Sequence, residues 1–334
     1  MRAFEIQEFG IDNLKLVERE AAKPGPFEVL VRLKAASLNF RDLMVTEGTY
    51  NPRLKRPIIP LSDGAGVVES VGAQVTRVKV GDRVAGIFMQ RWLDGVVNRT
   101  VSQSAMGGAI DGVLSDERIF HEDGLVHIPE HLSFVEAATL PCAGVTAWHA
   151  LFEEAPAKAG DSVVIQGTGG VAIFALQFAK AAGMRAIVLS SSDEKLKRAQ
   201  ELGAAHIINY KKEPNWEKSV LAIVPNGADY VIQVAGDDAI TRSLKAVRMG
   251  GQVSVIGVLS GASTGIDPRL VLMNTIRLQG IYVGSRAMFE RMNRAIGLHR
   301  IRPVIDRVFP WLEVPQAMKY MREESHFGKI ALEF

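Results

Sequence analysis

The sequence has few of the residues that form disulfides, thiolate metal sites or nucleic-acid surfaces. Its single cysteine, Cys142, excludes an internal disulfide framework and a zinc site built from several thiolates. Lysine and arginine number 39 and aspartate and glutamate 37, so the formal net charge is only +2. We therefore expect no nucleic-acid partner, because such a surface needs clustered basic residues.

Long apolar runs are also absent. No stretch of about 18 uncharged apolar residues occurs, and Glu5 and Glu8 stand where a signal peptide would be apolar. We expect a cytoplasmic protein without a membrane span, and a lone cysteine suits a reducing compartment. The composition, 47% hydrophobic and 23% charged, is that of a globular protein, and the 334 residues are enough for about two domains.

The first third of the chain has the pattern of short strands. Residues 29, 31 and 33 are apolar and alternate with Leu30, Arg32 and Lys34, and glycines interrupt the apolar segments 64–72 and 81–88. This pattern predicts a small β-barrel. From about residue 130, short apolar runs alternate with segments of helical periodicity, which predicts a parallel sheet covered on both faces by helices.

The last part of the chain is mixed again, with helical spacing at 289–296 and 314–321 and an apolar strand at 329–332. We therefore predict a domain of residues 1–128, an inserted domain of residues 129–268, and a return to the first domain over 269–334. Within the inserted domain, Gly250-Gly251 is interpreted as a helix stop.

A glycine-rich turn follows the predicted strand at 163–166 and opens the predicted helix at 171–182. It consists of Gly167, Thr168, Gly169, Gly170, Val171 and Ala172, which fits Gly-x-Gly-x-x-Gly/Ala. In such turns one glycine permits a tight bend, another lets the backbone approach a pyrophosphate, and a small last residue lets helix and strand pack closely. The turn predicts dinucleotide binding, with an ordinary structural turn as the alternative.

The end of the next strand distinguishes NADP from NAD. An NAD site places an acidic residue there, about 20 residues after the turn, to bind the ribose 2′-hydroxyl. Here Ser190 and then Ser191 follow the apolar run, and Lys195 can add positive charge. We predict NADP(H). Asp193 and Glu194 either open the next helix or, if the strand ends later, provide the acid of an NAD site.

Several further segments are typical of one enzyme family. They are Asn39-Phe40-Arg41-Asp42, Pro60 to Val68, Gly81-Asp82-Arg83-Val84 and Leu140 to Trp148. With the glycine turn, they resemble the medium-chain dehydrogenase/reductase superfamily over essentially the whole chain. The resemblance implies an α/β fold, with a GroES-like β-barrel-type catalytic domain, an inserted Rossmann domain with a doubly wound parallel sheet, and an active site in the cleft between them.

The resemblance also bears on metal binding. Zinc dehydrogenases of this superfamily hold catalytic zinc at three positions, which match Asn39, Ser62 and Cys142 here. Only one of these is a thiol, and a catalytic zinc needs three protein ligands. We therefore expect no metal, and we interpret Cys142 as a buried small residue near the nicotinamide.

The chain is most similar to the zinc-free branch, which contains quinone oxidoreductases and 2-enoyl reductases. That branch contacts NADPH through a lysine and a tyrosine, which match Lys195 and Tyr210; for Tyr210 a packing role is the alternative. The resemblance implies further cofactor contacts for Thr146, Gly236, Gly257, Leu259, Phe327 and Lys329.

Three residues are candidates for catalysis by the same resemblance. Tyr50 matches a tyrosine that donates a proton or hydrogen bond in enoyl reductases, with packing of its loop as the alternative. Asn39, at the former metal position, is a candidate donor to the substrate oxygen. We expect Asp42 to orient Arg41 or the loop. A second tyrosine of the quinone reductases is Met44 here, which is a departure from their pattern.

Three functions remain open from the sequence. The favoured one is an NADPH-dependent reductase of an electrophilic small molecule, such as an enone, enal or quinone. The others are a zinc-free alcohol or carbonyl oxidoreductase and a non-catalytic dinucleotide-binding protein. The resemblance also implies a homodimer, with strands near Val253 and Leu278 pairing edge to edge.

Overall fold

The structure is a computed structural model, and it describes residues 1–20, 23–154, 157–234, 239–257 and 265–334. The chain forms two units. Unit 1 contains Met1–Val145 and Val283–Phe334, and unit 2 contains Thr146–Tyr282. Unit 2 overlaps the predicted inserted domain, 129–268, over residues 146–268.

Fifteen strands occur in the described residues. They are β1 Arg2–Ile6, β2 Leu14–Glu18, β3 Glu28–Ser37, β4 Asp63–Val71, β5 Arg83–Gly86, β6 Glu117–His121, β7 Leu125–His127, β8 Ser162–Gln166, β9 Arg185–Ser190, β10 His206–Asn209, β11 Ala228–Gln233, β12 Val247–Val255, β13 Arg277–Gly280, β14 Ile305–Pro310 and β15 Lys329–Glu333.

Eleven α-helices occur in the same residues. They are α1 Phe40–Thr46, α2 Arg99–Ser102, α3 Phe134–Ala137, α4 Val145–Trp148, α5 Gly170–Ala181, α6 Asp193–Leu202, α7 Trp216–Ile223, α8 Ala239–Ala246, α9 Pro268–Met273, α10 Arg286–His299 and α11 Val314–Arg322. Leu140–Gly144 and His149–Glu153 are π-helical, and three short 3-10 turns complete the list: Ile11–Asn13, Glu122–Gly124 and Trp311–Glu313.

Unit 1 is built on a seven-stranded sheet in the order β14-β15-β3-β4-β5-β7, with β6 paired to β3. The long strand β3 alternates buried and less buried residues at its start, as expected for a strand with one face on the core. Its C-terminal end lies between β4 and β15, where Ser37 is the register partner of both Asp63 and Ala331. This register brings the beginnings of β4 and β15 together at one end of the sheet.

The core of unit 1 contains side chains from both segments of the chain. Val31 and Leu33 of β3 belong to the same buried cluster as Met318 of α11 and Ile330 of β15. Burying each such side chain contributes about 1.5–3 kcal/mol to folding. Residues of the segment Val283–Phe334 are therefore part of the unit 1 core.

Unit 2 is built on a six-stranded sheet in the order β10-β9-β8-β11-β12-β13. All its strand pairs are parallel. Counted from β8, the order is 3-2-1-4-5-6, which is that of a dinucleotide-binding doubly wound sheet. Such a sheet binds its ligand outside the carboxyl ends of the strands, where the order reverses. Here that place lies between β8 and β11.

The predicted helices and strands of unit 2 are present, with one difference. The helix α8 already ends at Ala246, and Gly250 and Gly251 lie inside β12. Gly250 has φ = 71°, and a Cβ on Gly251 would lie 2.9 Å from the Asp229 carbonyl oxygen of the neighbouring strand. The prediction of a helix stop at this glycine pair is therefore wrong: the glycines serve an irregular stretch of strand.

None of the helices in the described residues combines the length and the apolar character needed to cross a bilayer.

Candidate functional site

The glycine turn follows β8 directly, at the reversal of strand order in unit 2. Gly167 has φ = 78°, a conformation that favours glycine, and its N–H donates to the Leu189 oxygen at 2.7 Å. Helix α5 begins at Gly170, just after its N-cap Gly169. A Cβ on Gly169 would meet no atom within 4 Å. The turn therefore has room beside its backbone and a twelve-residue helix behind it, as a phosphate site requires.

The other residues of the turn differ in exposure. Thr168 and Ala172 are buried, whereas Gly170 and Val171 are half-buried. A buried alanine at position 172 allows the close helix–strand packing expected for the last position of the motif.

The residues predicted to distinguish NADP from NAD lie together at the ends of β9 and β10. Ser190 is the last residue of β9, and its carbonyl oxygen accepts a hydrogen bond from the Tyr210 N–H at 3.1 Å. Ser190 Oγ accepts from the Ser192 N–H, and Ser192 in turn caps α6 by accepting from the Lys195 N–H. Ser191 follows directly. The side chain of Tyr210 is 41% exposed, so its phenol ring is accessible.

The two acidic residues that could have formed an NAD site open α6. Asp193 and Glu194 belong to its first turn, after the N-cap Ser192. The Asp193 carboxylate accepts hydrogen bonds from Lys212 Nζ at 2.5 Å and Asn209 Nδ2 at 2.7 Å. These hydrogen bonds lower the pKa of Asp193, the one from Lys212 most. Asp193 therefore has protein partners, and the strand ends where the sequence analysis placed its end.

The remaining cofactor candidates fall in different places. Gly257 follows β12, and a Cβ there would lie 2.5 Å from the Val234 oxygen, so the position requires glycine. Thr146, at the start of unit 2, and Phe327, in unit 1, are buried. Gly236 and Leu259 lie outside the described residues.

In unit 1, the three positions that match zinc ligands converge on one carboxylate, that of Asp63 at the start of β4. Ser62 Oγ donates to Asp63 Oδ1 at 2.6 Å, and the Cys142 N–H donates to Asp63 Oδ2 at 3.1 Å. The Asn39 amide also lies beside this carboxylate and lowers its pKa. The structure therefore brings the three positions together.

Lys329 supplies the positive charge for this group. Its side chain is 3% exposed. Its ammonium donates to the Leu38 oxygen at 2.5 Å and to Asn39 Oδ1 at 2.7 Å, and its charge stabilises ionised Asp63. We call Asn39, Ser62, Asp63, Cys142 and Lys329 the Asp63 cluster. Since an ammonium can only donate, it fixes the Asn39 amide with Oδ1 towards Lys329.

Burial controls the protonation of the acids and the thiol here. It raises the pKa of Asp63, an effect that Lys329 opposes. It raises the pKa of Asp42 to about 6, although the nearby Arg41 charge acts in the opposite direction. Burial and then the Asp63 charge raise the pKa of the Cys142 thiol far above its ordinary value. In the absence of a metal ion, Cys142, which is half-buried, is therefore a thiol at neutral pH and a poor nucleophile.

These donor atoms do not fit a zinc ion. Zinc in such sites is held by thiolates, imidazoles or carboxylates. The matching positions carry an amide whose oxygen accepts from Lys329, a hydroxyl bonded to Asp63, and only one cysteine. Within the part of the chain that the structure describes, no three His, Cys, Asp or Glu side chains form a metal-binding group.

Of the catalytic candidates, Asp42 lies on α1 and Tyr50 follows the helix. Asp42 is fully buried and accepts from the Asn39 N–H at 2.8 Å, so it fixes the beginning of the helix. The next residue back, Arg41, lies over the ring of Tyr50, with 5.3 Å between Cζ and the ring centroid. Tyr50 itself is 43% exposed. The phenol is thus accessible and stands beside a guanidinium.

Sequence reasoning did not assign a role to two residues of this region. In the sequence, Asp63 stands out only as part of the segment Pro60 to Val68, and Arg41 only as part of a motif and as the residue that Asp42 is expected to orient. A buried acid between a matched ligand position and a glycine-rich strand is a signal that could have identified Asp63. Nothing in the sequence indicates the rings that contact Arg41, because Phe88 lies far from it along the chain.

Comparison with known proteins identifies the class of both units. Residues 25–130 match the family model of the alcohol dehydrogenase GroES-like domain, and residues 170–297 match that of zinc-binding dehydrogenases. The predicted fold class is confirmed. A GroES-like unit joined to a Rossmann unit defines a dehydrogenase or reductase of the medium-chain type.

Individual relatives support the same assignment. A zinc-type alcohol dehydrogenase-like protein of Schizosaccharomyces pombe is 45% identical over 97% of this chain and 96% of its own length. A quinone oxidoreductase of Lama guanicoe is 28% identical over 99% of this chain and 97% of its own. A crystal structure from Sinorhizobium meliloti 1021, described as a candidate alcohol dehydrogenase, has a TM-score of 0.93 and 43% identity, covering 100% of this chain and 98% of that one. The chain belongs to the medium-chain dehydrogenase/reductase superfamily and is an oxidoreductase of that superfamily.

Proposed function

We propose that the protein is an NADPH-dependent reductase of activated C=C bonds or quinones that works without zinc. The observation that carries this proposal is the Asp63 cluster, in which Asp63 accepts from Ser62 and Cys142 and the Lys329 ammonium donates to Asn39, at the three positions that match the zinc ligands of zinc dehydrogenases. Bound NADPH supplies the hydride. Because no ion polarises the acceptor, the acceptor must already be electrophilic, as an enone, enal or quinone is.

We assign most of the proposed cofactor contacts to residues of unit 2. Gly167, Thr168, Gly169, Gly170 and Val171 would hold the pyrophosphate at the start of α5. Lys195 and Tyr210, with the hydroxyls of Ser190 and Ser191, would hold the ribose 2′-phosphate. Support for NADP over NAD comes from the hydroxyl at the end of β9 and from the protein contacts that already occupy Asp193. Thr146, Gly236, Gly257, Leu259, Phe327 and Lys329 are proposed further contacts.

In unit 1, we assign the acceptor to the surroundings of α1. Tyr50 is the proposed proton or hydrogen-bond donor, because its phenol is accessible. Asn39 contributes through its Nδ2 group, since its Oδ1 accepts from Lys329. We assign Asp42 the role of positioning Asn39 and Arg41. Its carboxylate accepts from the Asn39 N–H and lies 3.9 Å from Arg41 Nη1.

The test of the proposed function is consumption of NADPH and NADH against panels of enones, quinones and aldehydes, with metal analysis of the purified protein. We expect NADPH to be oxidised by enones or quinones and to bind more tightly than NADH. Stoichiometric zinc with activity lost to chelators would refute the zinc-free assignment, and tighter NADH binding would refute the assignment of NADP.

The role of Tyr50 is tested separately. We expect Tyr50→Phe to lower turnover of an enone at least tenfold, the scale of general acid catalysis, which is about 100- to 10,000-fold when complete. Tyr320→Phe is the matched control: it also removes a phenol hydroxyl of unit 1, one that donates to Asp306 at 2.6 Å. Unchanged kinetics in Tyr50→Phe would remove Tyr50 from the mechanism.

A second candidate is an alcohol or carbonyl oxidoreductase. It is favoured by the name of the S. pombe relative and by a 30% identical structure described as an NAD-dependent alcohol dehydrogenase, which covers 100% of both chains with a TM-score of 0.91. Reduction of aldehydes in preference to enones in the same panel would favour this candidate. NADPH binding without any reduction would favour a non-catalytic binding protein.

We also propose a cytoplasmic homodimer. The strand β13 is the last of its sheet and pairs only with β12 in the described residues, and Leu278 on it is 36% exposed. An unpaired edge with an exposed leucine is a suitable surface for a second copy. Sedimentation velocity of the protein and of Leu278→Lys tests this assembly: a monomeric wild-type protein would refute it.

A further inference from the structure

The guanidinium of Arg41 is held by aromatic rings and a carbonyl oxygen. Its Cζ lies over the ring of Phe88, 4.7 Å from the centroid, as well as over Tyr50. Nη1 donates to the Met106 oxygen at 2.9 Å. Phe88 is fully buried, and the Arg41 side chain is 12% exposed. Two rings and one carbonyl oxygen thus hold the guanidinium in one place beside an accessible tyrosine.

Glycine at position 108 is part of this arrangement. A Cβ on Gly108 would lie 2.2 Å from Arg41 Nη2, closer than any non-bonded contact allows. Gly108 does not have a positive φ, so its backbone conformation does not itself demand glycine. The absence of a side chain there leaves the space that the guanidinium occupies.

The hydrogen-bonding capacity of Arg41 is mostly unused. A guanidinium has five N–H donors in a planar fork. In the described part of the chain, Nε is buried and has no hydrogen-bond partner. The nearest acid, Asp42, approaches Nη1 only to 3.9 Å, beyond hydrogen-bond distance. Asp42 therefore balances the charge of Arg41 without occupying its donors, and one oxygen of Asp42 is also left without a hydrogen bond.

A buried donor without a partner is costly, so its presence calls for an acceptor. The planar fork of arginine matches the two oxygens of a carboxylate better than any other side chain does. The rings of Tyr50 and Phe88 restrict the fork to one orientation. An oxygen anion of a ligand beside Tyr50 would supply the missing acceptor.

We propose that Arg41 binds a carboxylate of the acceptor and thereby makes the protein selective for enones that carry a carboxylate near the conjugated carbonyl. The proposal rests on the proposed function, since Tyr50 is there the donor to the same acceptor. In this arrangement Arg41 determines substrate specificity, while Tyr50 donates a proton or hydrogen bond to the acceptor.

Binding of a ligand that cannot be reduced tests Arg41 without requiring activity. The probe is 4-oxopentanoate, the saturated keto acid, and its neutral control is 4-oxopentanamide; calorimetry measures both with the full-length protein, with and without NADP⁺. We expect the acid to bind at least tenfold more tightly than the amide. Arg41→Met should remove this preference, and Arg41→Lys, which keeps the charge but loses the fork, should reduce it.

Gly108→Ala is the second variant, because it leaves Arg41 in the sequence but obstructs the position of its guanidinium. We expect it to weaken binding of the acid and to leave binding of the amide unchanged. Circular dichroism and the urea midpoint confirm that each variant folds. Equal binding of acid and amide by the wild-type protein would overturn the proposal, and so would an unchanged preference in Arg41→Met and Gly108→Ala.

Kinetics then connect the binding site with the reaction. The substrates are 4-oxo-2-pentenoate and its methyl ester, and the readout is the ratio of their kcat/KM values. We expect Arg41→Met to lower this ratio at least tenfold, chiefly through KM of the acid. If the wild-type protein binds the keto acid through Arg41 but reduces neither substrate, the proposed reductase function is wrong and the anion site remains supported. If it reduces both substrates and the ratio does not depend on Arg41, the anion site is wrong and the reductase function remains supported.

Discussion

The buried carboxyl of Asp42 makes the stability of unit 1 depend on pH in a way that one substitution should remove. Asp42 accepts one hydrogen bond from the Asn39 N–H, while its other oxygen has none in the described structure. Burial raises its pKa from 3.8 to about 6. A shift of about two pKa units corresponds to about 3 kcal/mol of difference between the ionised and the neutral form.

The direction follows from proton binding. In the unfolded chain Asp42 loses its proton near pH 4, whereas the folded protein retains it up to about pH 6. Between these values the folded state binds more protons, so the contribution of Asp42 to the free energy of unfolding falls as the pH rises. The contribution is fully present below about pH 4 and is lost above about pH 6.

Asp42→Asn keeps an oxygen that can accept from the Asn39 N–H but does not ionise. We expect the stability of this variant relative to the wild-type protein to increase by about 3 kcal/mol between pH 4 and pH 7. Urea denaturation followed by tryptophan fluorescence measures the difference, because Trp92 and Trp311 lie in the same unit. Glu323→Gln, at an exposed position, is the control for a loss of charge alone. A stability difference that does not change with pH would refute the reasoning.

Substitutions at three further positions have clear expected results. Ser190→Asp should shift the ratio of NADPH to NADH affinity at least tenfold towards NADH, measured by fluorescence titration, because a carboxylate repels a 2′-phosphate; an unchanged ratio would mean that the phosphate lies elsewhere. Gly169→Ala should leave the urea midpoint of the protein unchanged, since its Cβ meets nothing within 4 Å, but weaken dinucleotide binding; equally tight binding would show that no phosphate approaches that backbone. Lys329→Met should lower the free energy of unfolding by about 3–5 kcal/mol, because it leaves Asp63 buried without its cation, and Lys329→Arg should restore most of it.

Local patterns were sufficient to predict most of the Rossmann unit. The turn after β8 and the end of β9 at Ser190 both follow from residues that are neighbours in sequence, and parallel strands between helices form continuous apolar runs. The glycine pair in β12 was misread because glycine breaks helices and strands alike. Whether a glycine pair ends a helix or lies within a strand depends on whether another strand pairs with it, and a local sequence pattern does not contain that information.

The candidate site of unit 1 was only partly predictable. Resemblance pointed to Asn39, Ser62 and Cys142 as one group, but not to what joins them. The hydrogen bond of Lys329 to Asn39 and the position of Arg41 over Phe88 are contacts between residues far apart along the chain. Such contacts are set by the register of β15 against β3 and by loop packing, neither of which composition or periodicity records.

The place of β15 in its sheet has a consequence for how the protein is made. This strand lies between β14 and β3, and it carries the lysine that neutralises Asp63. While a ribosome is still translating the preceding helices, β3 lacks this neighbour and Asp63 lacks its counter-ion. Unit 2, whose residues all precede position 283, has everything it needs much earlier. The nascent protein can therefore complete its dinucleotide-binding unit first, and it acquires a finished Asp63 cluster only when residues 329–333 have emerged from the exit tunnel.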